Sequence, residues 1–333
     1  MPVSFLDGVR SQPDVLARSA TVVERALGGR VGSRMVATLR RGGLLAYGMG
    51  ASTHAAAGFA AVLRAAGRPA TAMSAADLLD GIPSGLAATV LAVSQSGRSR
   101  ETVEALGTAG EDTTRLAVSN DPDAPLGKLA DATLPLGCGE DTAVSTLSYT
   151  ATLQALGLLA DRIIGEPSAD WAALPALAAT VLDTDVAPLA DVLAGADSVD
   201  VVGSGSRIAT AGAVGLLLRE AAHLPSAFFA TREYLHGPLE TAAPGRTVLL
   251  FGEIPLAREL AGYGATVVLF TDAGQDLPAH PGLRAVRLPS AGGLARCILD
   301  VLPVQLAAHA VAERLGRPIE LRHMPADTKL NGS

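Results

Sequence analysis

The run Ser94-Gln95-Ser96-Gly97-Arg98-Ser99-Arg100-Glu101-Thr102 follows the apolar segment Thr89-Val90-Leu91-Ala92-Val93 and leads into Val103-Glu104-Ala105-Leu106. A strand therefore ends in hydroxyls and a glycine, and a helix begins at once. Such a junction aims backbone N–H groups and serine hydroxyls at one spot, on the positive end of a helix dipole, which suits a phosphate monoester without a lysine. One N-cap serine is ordinary at a helix start. Ser94, Ser96 and Ser99 are more than a cap requires.

The same alternation extends on both sides. Leu44–Tyr47, Pro69–Met73, Thr89–Val93, Arg115–Val118 and Ala132–Leu136 read as strands, and a long helix over Ser145–Ile164 closes the set. After Glu166-Pro167-Ser168 and two bridging helices the pattern restarts with Val199–Val202, Ser226–Ala230, Thr247–Phe251, Thr266–Phe270 and Leu283–Leu288, closed by a helix over Leu294–Leu315. Strand, turn and helix in repeated order predict parallel sheets covered on both faces. The expected class is α/β: one doubly wound, roughly five-stranded unit used twice. The expected division is a helical lead-in over 1–30, a first unit over 31–166, a second over 185–320 and a tail over 321–333. Where the first unit has its serine turn, the second has Phe251-Gly252-Glu253-Ile254-Pro255, so one phosphate site per chain is expected, held by the first unit.

Composition narrows the function. Of 333 residues, 49% are hydrophobic but only 3% aromatic, so Ala, Val and Leu must build the core. The net charge of −7, with no long basic run, argues against nucleic acid as a partner. Cys138 and Cys297 are too few and too far apart for a disulfide framework or a metal cluster. Met1-Pro2-Val3-Ser4-Phe5 does not open a signal peptide, and no apolar stretch looks both long and glycine-free enough to cross a bilayer. A cytoplasmic protein with no membrane partner is the expectation.

Other candidate residues lie at turns. Gly48-Met49-Gly50-Ala51-Ser52 lacks the third glycine of a dinucleotide fingerprint, since Thr53 stands there, and Asp77 is a poor ribose partner. It reads better as a second turn beside the serine turn, with Ser52 toward a ligand; glycines that only let a helix start tightly are the alternative. Glu140–Thr146 opens the long helix on the same rim, with Thr142 or Ser145 as its N-cap. Glu220 ends an otherwise apolar helix, and His236 follows in Tyr234-Leu235-His236-Gly237-Pro238-Leu239. A carboxylate and an imidazole are what proton transfer between adjacent sugar carbons needs, although His-Gly-Pro alone is more often a turn. Lys329 lies in a short polar tail that, taken alone, is a frayed terminus.

Together these segments resemble the tandem sugar isomerase (SIS) family, and more narrowly the isomerase half of glucosamine-6-phosphate synthase and its stand-alone relatives. Ser94-Gln95-Ser96-Gly97-x-Ser99-x-Glu101-Thr102 is similar to that family's phosphosugar loop. Gly50-Ala51-Ser52 resembles its Gly-Thr-Ser turn, and Ala143-Val144-Ser145-Thr146 its Val-Ala-Ser-Thr segment. Gly212-Ala213 through Glu220, with Tyr234–Leu239, resembles its most distinctive segment, and the Glu220-to-His236 separation matches. The resemblance implies two flavodoxin-like SIS domains. It implies that Gly50, Ala51, Ser52, Ser94, Gln95, Ser96, Ser99, Ala143 and Ser145 bind the sugar phosphate. Glu220 would be the base, and His236 the ring-opening group, donated across a homodimer interface. Lys329 would be a further catalytic group. No metal or redox cofactor is implied. Leu217 stands where synthase members carry a lysine, and no stretch resembles their glutaminase half, so glutamine is not the expected nitrogen donor. The expected activity is a phosphosugar aldose–ketose isomerase or amino-sugar-phosphate deaminase acting on a hexose 6-phosphate. The alternatives are a fructosamine 6-phosphate deglycase and a non-catalytic phosphosugar sensor.

Overall fold

A computed structural model describes residues 3–83, 85–277 and 279–330; the ends of the expected lead-in and tail, residues 1, 2 and 331–333, lie outside it. Three helices lead in: α1 (Phe5–Arg10), α2 (Gln12–Gly28) and α3 (Arg30–Leu39). The first sheet unit then runs β1 (Leu44–Gly48), α4 (Ala51–Ala65), β2 (Ala70–Ser74), β3 (Thr89–Val93), α5 (Arg100–Gly107), β4 (Thr114–Ser119), α6 (Pro125–Leu129), β5 (Ala132–Pro135) and α7 (Leu147–Ile164). Helices α8 (Leu174–Leu182) and α9 (Ala187–Ala194) connect to β6 (Ser198–Gly203), α10 (Ile208–Glu220), β7 (Ser226–Ala230), α11 (Thr231–Tyr234), β8 (Arg246–Phe251), α12 (Ile254–Gly262), β9 (Thr266–Asp272), β10 (Leu283–Leu288) and α13 (Gly293–Arg314). All ten strands expected from the apolar runs are present, shifted by no more than two residues at an end.

They form two five-stranded parallel sheets flanked by helices, ordered β2-β1-β3-β4-β5 and β10-β9-β8-β6-β7. Read from its own first strand, the second sheet repeats the order of the first. In each, the chain leaves the first strand toward one edge and returns on the other side with the third. The crevice between those two strands is where the winding reverses, the place where open α/β sheets bind ligands. In the first sheet it lies between β1 and β3, whose last residues Gly48 and Val93 are in register. The Gly48–Ser52 and Ser94–Ser99 turns are therefore neighbours.

The core does not divide as the sheets do. One cluster of buried side chains draws on the lead-in (Leu16), the first unit (Phe59, Leu156) and the second (Leu217, Leu302), and it fills the helical layer between the sheets. Two smaller clusters lie on the outer faces. Helix α13 corrects one expectation. Its 22 residues are long and apolar enough to cross a membrane, although most of the helix is buried in the fold. Its hydrophobicity is accounted for by the central layer, where α13 packs against α7, α8, α9 and α10.

Candidate functional site

The serine turn is built by its own hydroxyls. Gly97 holds a φ of +64°, and a Cβ there would lie 2.7 Å from the Ala124 Cβ, so the position favours glycine on both counts. Ser94, only 2% exposed, donates from Oγ to Ser99 Oγ at 3.2 Å. Ser96 Oγ accepts the Arg98 N–H at 3.2 Å. Ser99 is the N-cap of α5 but makes no side-chain cap bond. The first N–H groups of α5 thus have no hydroxyl cap of their own, and helix starts of this kind favour anions. Gln95 and Ser96 are half-buried on the rim.

The tail, which reads as frayed from sequence, is docked. Lys329 pairs in an antiparallel bridge with Ser99, Leu330 N donates to Arg98 O at 2.8 Å, and Arg100 Nε donates to Asp327 O at 2.6 Å. The structure brings Lys329 to the edge of the serine turn. The signal that could have foretold this is Leu330, an apolar residue in a polar tail, which packs against the outer cluster of the first sheet.

The start of α7 differs from the sequence reading. The N-cap is Thr146, and neither Thr142 nor Ser145 caps the helix with its side chain. Asp141 takes that role: its carboxylate accepts from Thr146 N and Ser148 N, both at 3.1 Å, and from Thr146 Oγ1 at 2.8 Å. Ser145 and Ala143 are left exposed just ahead of the helix.

Glu220 arrives from the second unit. Helix α10 crosses α4 at close range, and small residues permit it. A Cβ on Gly212 would fall 2.2 Å from His54 Nδ1, and one on Gly58 would fall 2.6 Å from the Ala209 Cβ. One turn beyond Gly212, Leu216 overhangs Gly50; one turn further stands Glu220, on the same helix face. Glu220 thereby shares a cavity of about 10 Å³ with Ala51, Ser145, Leu217 and Gln305. On its other side opens a cavity of about 660 Å³, whose walls include His223, Arg322, His323 and Met324. Burial pushes the Glu220 carboxyl up to about 7. Leu217, in place of the lysine the resemblance leads one to expect, offers no charge to offset that burial.

His236 is exposed after α11 and lines neither of the two cavities that Glu220 borders. His54, which sequence reasoning passed over, is half-buried between Gly212 and Phe228, its ring 4.8 Å from the Phe228 ring, and desolvation lowers its pKa to about 4. Among the described residues no cluster of three potential metal ligands occurs.

The turns at the matching crevice of the second sheet, between β6 and β8, carry different side chains. Ser204 Oγ donates to Glu253 Oε1 at 2.8 Å, and Arg207 Nε lies 3.0 Å from the buried Asp300 carboxylate. A carboxylate and a guanidinium already paired with Asp300 thus stand at the turns of this crevice.

Residues 41–162 match the SIS domain family. A glutamine–fructose-6-phosphate aminotransferase (isomerizing) from Corynebacterium glutamicum is 28% identical over 260 residues, covering 69% of this chain and 41% of that protein. The chain thus spans about two fifths of the length of the curated relatives it matches. Among solved structures, the C-terminal domain of the glucosamine-fructose-6-phosphate aminotransferase from Francisella tularensis superposes with a TM-score of 0.83 at 17% identity, covering 95% of this chain and 97% of that one. Tagatose-6-phosphate ketose/aldose isomerase from Escherichia coli superposes at 0.77 with 17% identity, covering 98% and 99%. Residues 41–162 are therefore a SIS domain, in a chain homologous to the glutamine–fructose-6-phosphate aminotransferases and folded like the C-terminal domain of such an enzyme.

Proposed function

We propose that this protein is a phosphosugar aldose–ketose isomerase or amino-sugar-phosphate deaminase acting on a hexose 6-phosphate, and that its second sheet unit is a second SIS domain. The observation that carries the reading is the meeting of Glu220, from the second unit, with Ala51 and Ser145, from the first, beside the turns of the β1–β3 crevice. The phosphate would sit on the Ser94–Ser99 turn and the start of α5, with Ser52 and Gln95 toward the sugar. Glu220 would take the proton from C2 of the open-chain sugar and return it at C1, or the reverse, through an enediol or enolamine. His236, which is exposed and lines neither cavity beside Glu220, would open the ring from a second copy of the chain. Lys329, held beside Ser99, would close the site. The units proposed are 31–166 and 185–320, flanked by the lead-in and the tail, in a cytoplasmic homodimer.

The test is turnover of hexose 6-phosphates and amino-hexose 6-phosphates by purified protein, followed by isomer analysis and ammonia release. Glu220→Gln is expected to cost about 10²- to 10⁴-fold in kcat, the usual contribution of a positioned acid–base group. Ser96→Ala is expected to raise KM chiefly. Full activity of Glu220→Gln would end the assignment.

One observation favours a second reading. The larger cavity beyond Glu220 has room for a substituent on the sugar nitrogen, as cleavage of a fructosamine 6-phosphate requires. Release of an amino acid together with the sugar phosphate would select that reaction.

A further inference from the structure

Gln305 lies on α13, 1% exposed, and lines the small cavity that holds Glu220. Its orientation is dictated from outside the site. The Val9 main-chain carbonyl, which can only accept, receives a hydrogen bond from Gln12 Nε2 at 3.0 Å. That fixes which way the Gln12 amide faces. Thr150 Oγ1 donates to Gln12 Oε1 at 2.7 Å and so agrees with it. Gln12 Nε2 also reaches Gln305 at 2.7 Å, and the atom it meets must be the oxygen. The Gln305 amide nitrogen is thereby turned away from Gln12. Burying such a chain of amides costs stability unless its polar atoms are matched.

We propose that Gln305 is a positioning residue for Glu220: its amide N–H groups face the shared cavity and hold the carboxylate, directly or through one water, with Gln12 setting their direction. A cavity of about 10 Å³ is near the size of a single water. This rests on the reading of Glu220 as the base. The charged and titratable groups that face Glu220 are Arg219, His223, Glu320, Arg322 and His323 around the larger cavity, and Tyr149 in the small one. Arg219 is engaged with the Ser226 carbonyl, and the Tyr149 hydroxyl donates to Ala209 O. From α4 and α13 only uncharged residues reach the small cavity, so Gln305 is the amide donor available there.

The test is a double-mutant cycle on the full chain, read as melting temperature at pH 5 and pH 8. Gln305→Met is expected to lower the melting temperature by about 2 °C more at pH 8, where Glu220 is ionised and loses its donor, than at pH 5. That extra loss is expected to vanish on a Glu220→Gln background. Gln12→Met, far from the carboxylate, is expected to show a smaller loss of the same sign and serves if Gln305→Met does not fold. A loss equal at both pH values, or one that persists with Glu220→Gln, overturns the proposal. Because this readout needs no substrate, its failure is separate from a failure to find turnover. Where turnover is found, Gln305→Met is expected to move the acid limb of the kcat profile to higher pH. A rise in KM with an unmoved profile would instead make Gln305 a substrate contact and overturn its role toward Glu220.

Discussion

Glu220 carries the sharpest consequences of its surroundings. Its folded pKa of about 7 lies above the ordinary carboxylate value of 4.5. Between those values the folded state binds more protons than the unfolded one, so stability falls as pH rises through that window and stays lower above it. The difference amounts to about 3 kcal/mol at most, at 1.36 kcal/mol per unit. Glu220→Gln is therefore expected to melt higher than the parent at pH 8 and close to it at pH 4.5, checked by thermal denaturation at both. As the proposed base, Glu220 would act in its ionised form, so the acid limb of kcat is expected to have its midpoint near pH 7. Stability and activity then pull in opposite directions on one carboxylate, as they do at functional sites held by surrounding structure.

Helices α4 and α10 decide where that carboxylate stands. Gly212 and Gly58 let their backbones approach, and the Gly212, Leu216, Glu220 stripe is what α10 presents to the first unit. Gly212→Val is expected to force the helices apart or displace His54, at a cost of about 1–3 kcal/mol, typical of overpacking. It is also expected to lower kcat more than it weakens phosphate binding, because the serine turn belongs to another element. Thermal denaturation with steady-state kinetics checks both. The two crevices make a related contrast. The same strand order ends in hydroxyls and a glycine between β1 and β3, and in a Ser204–Glu253 bond between β6 and β8. Turn chemistry, and not topology, distinguishes the two.

At the scale of the whole molecule, His236 lines neither cavity that Glu220 borders, and the proposed homodimer would bring the two together. That arrangement has a direct test. Glu220→Gln and His236→Ala homodimers are each expected to be nearly inactive. After subunit exchange, a mixed dimer has one site with both defects and one with neither, so up to about one quarter of parental activity is expected to return, as two-fold symmetry dictates. No recovery after verified exchange would place His236 outside the shared site.

Much of this was legible in the residues themselves. Ten apolar runs at regular spacing gave ten strands, because strand period and turn chemistry are written within a few consecutive residues. The Ser94–Ser99 turn was legible as a strand-to-helix junction for the same reason. Tertiary structure alone decided that Asp141 caps α7, that the tail lies over Ser99, that Ser204 meets Glu253 and Arg207 meets Asp300, and that Glu220 shares a cavity with Ala51, Ser145 and Gln305. Each of these is a meeting of groups from different segments or beyond a loop, set by how closely helices pack and which polar atoms must be matched inside, and neither quantity has a local signature in the chain.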